Sequence, residues 1–155
     1  MFHELGHFLT AKIFNWKLDK IYIYPLGGLT KFNDKINKPV IEELLVNIMG
    51  PIFQIIITIF LKNIDSNILF FSNSLLVFNL LPIVPLDGGK LLNIIISIFK
   101  PFRKSMYLVI YISYLSYFLL LLFIIRIHSL FFTAIFFLLL FKIIEENKKI
   151  SYYYN

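Results

Sequence analysis

The chain has 155 residues, of which 59% are hydrophobic and 18% aromatic, with only 15% charged and a mean hydropathy of +0.80. Soluble domains carry about a quarter charged residues, so a soluble globule is excluded. The formal charge of +6 invites a nucleic-acid reading, and the complete absence of cysteine removes disulfides and thiolate metal sites, leaving His, Asp and Glu as the metal donors.

The first residues, MFHELGHFLTAK, are polar and histidine-rich rather than a basic stub with an apolar stretch, so they do not read as a signal peptide. Residues 1 to about 15 read as a helix ending near Asn15-Trp16. In DKIYIYPLGGLTKFNDK, Ile21, Ile23 and Leu26 with Tyr22 and Tyr24 suit a strand; PLGG, with Gly27 and Gly28, suits a turn; LTKF suits a return. Val40 to Leu61 is an apolar helix containing Gly50-Pro51, breakers that a membrane helix tolerates when neighbours satisfy the freed backbone. After KNIDSN, a third helix is expected from about Ile68 to Leu81, followed by PIVPLDGG and a helix over Leu91 to Phe99. Two further spans occupy Met106 to Ile125 and Ser129 to Ile144, and EENKKISYYYN is a short polar tail. The stretch YLVIYISYLSYFLLLLFII is uncharged and has the length, about 20 residues, that crosses a bilayer. The expected fold class is an all-α membrane protein, a bundle of about five transmembrane helices with a short membrane-associated β-hairpin after the first helix.

If the spans alternate in direction, Lys62 and Arg126 alone fall on one side and all the other cations fall on the opposite side. That bias marks a cytoplasmic face. Membrane topology thus accounts for the basic charge, and no nucleic-acid partner is expected.

HELGH is H-E-x-x-H, with His3, Glu4 and His7. On a helix, positions i and i+4 share a face, so both imidazoles can reach one metal ion. Glu4 is placed to take a proton from a water that the metal has made more acidic, while the metal polarises a carbonyl. A catalytic zinc site usually takes a third protein ligand. His128 falls on the opposite face by the alternating topology. Glu42 and Glu43 open a helix, where acids are favoured in any case, and Glu145 and Glu146 lie in the polar tail. Asp87 remains, embedded in NLLPIVPLDGGKLL, as third ligand or as a loop residue capping the helix that begins near Gly89. Asn79, an amide in an apolar helix, needs a hydrogen-bond partner, either at a site or on another helix.

HELGHFLTAK together with NLLPIVPLDGGKLL resembles the site-2 proteases, intramembrane zinc metalloproteases of peptidase family M50. The second stretch is similar to their N-x-x-P-x-x-P-L-D-G-G motif at Asn79, Pro82, Pro85, Leu86, Asp87, Gly88 and Gly89. PLGGLTKF resembles the Gly-Gly hairpin of the branch typified by stage IV sporulation protein FB, and NIMGPIFQ resembles its Gly-Pro helix, with Gln54 where asparagine is frequent. The resemblance implies His3, His7 and Asp87 as ligands of one zinc ion per chain, Glu4 as general base, and Asn79 near the scissile carbonyl or its oxyanion. Gly27 and Gly28 would belong to a hairpin that offers a strand edge to an unwound substrate.

It also implies a complete helix before the metal motif, whereas His3 here follows only Met1-Phe2. Residues 1–144 therefore read as an N-terminally truncated intramembrane protease domain and 145–155 as a tail. The expected partners are a membrane-tethered protein substrate (by resemblance a sporulation sigma-factor precursor), membrane-protein regulators and the lipid bilayer. The expected location is a bacterial cell or forespore membrane, with the site towards the cytoplasm. The competing reading is a non-catalytic membrane scaffold or an inactive fragment of such a protease. A metal transporter is disfavoured, because its ionisable groups would be distributed along a path across the bilayer.

Overall fold

The computed structural model describes residues 2–16, 18–24, 27–32, 38–60, 66–124 and 130–154. The chain divides into two compact units, Met1–Phe78 and Asn79–Asn155.

The first unit contains α1 (Phe2–Ile13), β1 (Leu18–Tyr24), β2 (Gly27–Phe32), α2 (Val40–Phe60) and α3 (Ser66–Asn79), whose last residue opens the second unit. α1 buries His3, Gly6, His7, Thr10 and Ala11, a stripe of helical period. α2 answers with Val46, Gly50, Pro51 and Gln54. The two helices approach closely because Gly6 has no side chain: a Cβ there would collide with the Met49 carbonyl and lie 2.8 Å from Phe53 Cβ. α1 stops in a Schellman arrangement, with Asn15 left-handed at φ 55°, Asn15 N–H donating to Lys12 O and Trp16 N–H to Ala11 O. The Trp16 indole N–H then donates to Glu42 Oε2 at 2.9 Å, tying the end of α1 to the start of α2.

β1 and β2 pair antiparallel, with an irregularity between Leu18 and Lys20. Gly27 and Gly28, expected in the turn, instead open β2, opposite Tyr24 and Ile23.

The second unit contains α4 (Asp87–Phe99), α5 (Phe102–Ile124) and α6 (Leu130–Tyr154). Its core joins Val84, Val109, Ile110 and Ile150, with Leu92, Ile96 and Tyr114 packed against them. Ser113, fully buried, donates to Val109 O and accepts the Val84 N–H at 3.0 Å, which fastens the segment before α4 to α5. Ser105 Oγ likewise lies 2.6 Å from Asn93 Oδ1 and binds α5 to α4.

The expectation of about five transmembrane helices is corrected. Among the described residues, only Val40–Phe60 and Phe102–Leu122 are long and apolar enough to cross a membrane. Only 22% of the residues in each of these two spans are buried, the opposite of a soluble core helix, and Ile59, Phe60, Tyr111 and Leu115 are exposed. α3 and α4, at 14 and 13 residues, reach roughly 20 Å at about 1.5 Å per residue, short of a hydrocarbon core about 30 Å thick. α6 has 25 residues, but Lys142, Glu145, Glu146, Lys148 and Lys149 occupy its second half.

Candidate metal centre

Both motif histidines are buried, each 7% exposed, and the α1–α2 contact sets their rings. His7 lies over Gly50, where any Cβ would collide with the imidazole. Pro51 offers no N–H to the carbonyl of Asn47 and its ring crowds that turn, which loosens the helix ladder there. In the same turn, the Val46 carbonyl accepts from His7 Nδ1 at 2.7 Å. A carbonyl oxygen only accepts, so His7 carries its proton on Nδ1 and presents a lone pair at Nε2.

His3 is fixed by a longer chain of the same logic. Gln54 Nε2 donates to the Ser72 carbonyl at 2.7 Å, so the amide NH2 faces α3 and Oε1 faces His3. His3 Nδ1 lies 2.9 Å from that Oε1 and must be the donor. Nε2 of His3 is therefore an acceptor as well, and it stands 3.1 Å from Nε2 of His7. Two neutral imidazoles in these tautomers aim acceptors at each other. A cation between them resolves the conflict, either a proton, which makes one buried ring an imidazolium, or a metal. Zinc–nitrogen bonds of about 2.0–2.1 Å reach both atoms from one point, so the donor pair fits zinc.

Glu4 is half-buried in the first turn of α1. Beside His3 an open groove of about 330 Å³ runs between α2 and α3, lined among others by Phe2, Ile57, Ile68 and Leu75. Asp87 belongs to the second unit, where it is buried in the first turn of α4 and accepts from Lys90 Nζ at 3.1 Å. The turn into α4 is tight: a Cβ on Gly88 would collide with the carbonyls of Leu80 and Leu81, and one on Gly89 would lie 2.6 Å from the Ile83 carbonyl carbon. Asn79 ends α3, half-buried. Among the alternative ligands, Glu42 accepts from Trp16, and Glu145 and Glu146 pair with Lys142 and Lys149. His128 lies outside the described residues.

Sequence reasoning gave no role at the site to three of its parts. The Val46 carbonyl has no side-chain signature at all. Gly50-Pro51 reads as a tolerated breaker, although a glycine just before a helix-interior proline is also a signal of close approach. Gln54 could have been found as a lone amide on the buried, apolar stripe of α2.

The model of Peptidase family M50 matches residues 1–65 and 63–123, which is most of the chain. The chain belongs to Peptidase family M50. It is 35% identical over 115 residues to stage IV sporulation protein FB of Bacillus subtilis, covering 68% of this chain and 40% of that protein. It is 39% identical over 116 residues to a zinc metalloprotease of Methanocaldococcus jannaschii, covering 66% of this chain and 33% of that one. The solved site-2 protease from Methanocaldococcus jannaschii matches with a TM-score of 0.72 and 32% identity, over 94% of this chain and 72% of its own. The chain thus spans well under half the length of these two curated M50 relatives.

Proposed function

We propose that the chain is an intramembrane zinc endopeptidase that hydrolyses a peptide bond within or near a membrane segment of a tethered protein. The observation that carries this reading is the pair of Nε2 acceptors 3.1 Å apart, each with its Nδ1 bonded to the scaffold. In this proposal His3 and His7 hold the ion, one per chain, and Asp87 is the third ligand. The buried carboxylate at the tight Gly88-Gly89 turn supports that choice, because a catalytic zinc site needs one more protein donor than two histidines supply. When bound, zinc supplies a Lewis acid that acidifies water and polarises a carbonyl.

The protein's own part follows from where its groups stand. Glu4, next to His3 in sequence, accepts the proton of the attacking water on a carboxylate oxygen and returns it to the leaving nitrogen. The groove beside His3 gives an apolar place to the substrate residue flanking the bond. Asn79 is assigned to the substrate carbonyl or the oxyanion that develops from it.

Similarity to stage IV sporulation protein FB supports the narrower proposal that the substrate is a membrane-tethered sporulation sigma-factor precursor. The lysines in the last turn of α1 and beyond it, from Lys12 to Lys38, support a site towards the cytoplasmic side.

The test is zinc content of the purified chain in detergent, alongside cleavage of a membrane-tethered reporter. One zinc per chain and measurable cleavage are expected, both lost in His7→Ala. A parent protein that takes up no stoichiometric zinc with both histidines intact ends the reading.

A further inference from the structure

Gln54 touches a motif histidine and also spans to another helix. Its Oε1 accepts from His3 Nδ1 at 2.9 Å, while its Nε2 donates to Ser72 O at 2.7 Å and lies 3.2 Å from Ser72 Oγ. Ser72 Oγ is in turn 3.0 Å from Thr58 Oγ1, one turn further along α2. The amide is buried, 8% exposed, in a segment otherwise made of Ile and Phe, where an unmatched amide would be costly.

A glutamine has two ends and can present either one. Only one orientation satisfies this environment: the Ser72 carbonyl cannot donate, so the NH2 must face it, and the oxygen must face His3. The link from α3 therefore decides which nitrogen of His3 holds the proton, and so which one has a lone pair to give.

We propose that Gln54 is a positioning residue for the metal centre: anchored by the Ser72 carbonyl, it fixes the Nδ1–H tautomer and the ring orientation of His3, so that Nε2 faces Nε2 of His7. His7 is set separately by the Val46 carbonyl, so the two ligands have independent supports. Outer-shell partners of this kind are worth about 10- to 100-fold in metal affinity. The inference deepens the zinc reading and rests on it for the affinity arm. The tautomer arm needs no metal, so the two can fail separately.

The experiment uses the full chain in detergent with ¹⁵N-labelled histidine. Ring-nitrogen shifts are read on metal-free protein, and zinc affinity is read by competition with a chelator. The parent should carry a proton on Nδ1 of both His3 and His7, with the facing Nε2 atoms either bare or sharing one further proton. Gln54→Leu should release His3 to a tautomer mixture, leave His7 unchanged, and weaken zinc about 10- to 100-fold. Gln54→Asn keeps both ends of the amide, the acceptor for His3 and the donor for the Ser72 carbonyl, and should recover the His3 tautomer with an affinity between Gln54→Leu and the parent. Thr58→Val, which touches Ser72 Oγ and not the histidine, should alter neither. Retention of the parental His3 tautomer in Gln54→Leu overturns the proposal. Equal disturbance of His3 and His7 in both Gln54→Leu and Gln54→Asn also overturns it, because the residue would then be packing only. A fixed tautomer in a protein that binds no zinc would uphold the positioning role and remove the metal reading instead.

Discussion

The imidazole of His7 occupies the space that a side chain on Gly50 would need. One glycine on α2 therefore sets how deeply a metal-binding histidine on α1 can sit. Gly50→Ala must push the ring aside or part the helices, and overpacking of this kind costs about 1–3 kcal/mol. We expect at least a tenfold loss of zinc affinity in chelator competition. Gly6→Ala presses instead on the Met49 carbonyl and Phe53, so it should lower thermal stability with a smaller effect on zinc. Parental zinc affinity in Gly50→Ala would show that His7 does not depend on this contact.

Ser113→Ala tests the fastening of the segment that leads into Asp87. The hydroxyl is the acceptor for the buried Val84 N–H, and leaving such a group unmatched costs about 1–3 kcal/mol. The variant should unfold at lower temperature in detergent, and the Val84 amide should exchange faster. Ser113→Cys, a weak acceptor of similar size, should fall between parent and alanine. An unchanged melting temperature in both would mean that Val84 finds another acceptor.

How much of this was legible in the sequence depended on how local each determinant is. The i, i+4 spacing of His3 and His7 puts both on the buried stripe of α1, as expected, because helical period alone decides it. Asp87 at the start of α4 follows from a Pro-rich segment running into Gly88-Gly89. The span count was not legible, because hydropathy does not say where a helix stops. α3 ends at Asn79, before Pro82 can continue it, and the apolar residues beyond form irregular backbone. α6 runs on through residues that read as a polar tail, since Lys142–Glu145, Lys149–Glu145 and Lys149–Glu146 pairs lie at helical spacing. The supports of His3 and His7 come from residues 51 and 39 positions away, the second of them a backbone carbonyl, and no periodicity reports those.

The end of α6 should respond to pH with a defined sign. Hydrogen bonds from Lys149 and then Lys142 hold the Glu145 carboxyl below its ordinary 4.5. A depressed acid contributes in full above its unfolded value, and the contribution is lost as pH falls through the lower folded value. Lys149 is raised above 10.5, chiefly by its bond to Glu146, so its contribution is full below that value and lost as pH rises through the higher folded one. Backbone ¹³Cα shifts over residues 142–150 should stay helical from about pH 5 to pH 10 and drift towards coil beyond either limit. Both carboxylates are remote in sequence from the motif histidines, and Glu145→Gln should leave zinc content unchanged. Loss of helical shifts already at about pH 6 would remove these pairs as the cause.

The final prediction separates catalysis from metal binding. Glu4→Gln keeps the side chain's shape and removes the base. Because Glu4 is not assigned as a ligand, the variant should retain one zinc per chain while cleavage falls by about 10²- to 10⁴-fold, the range of a lost general base. Asp87→Ala should behave differently: removal of a ligand should lower zinc retention and cleavage together. Its thermal stability is measured alongside, because the substitution also removes the Lys90 pair of a buried carboxylate. Both variants are compared with the parent by zinc content and by cleavage of the same membrane-tethered reporter. Undiminished cleavage by Glu4→Gln would take HELGH out of the reaction and leave a non-catalytic metal-binding scaffold. Full zinc retention with full cleavage in Asp87→Ala would remove the third-ligand assignment while leaving the histidine pair in place.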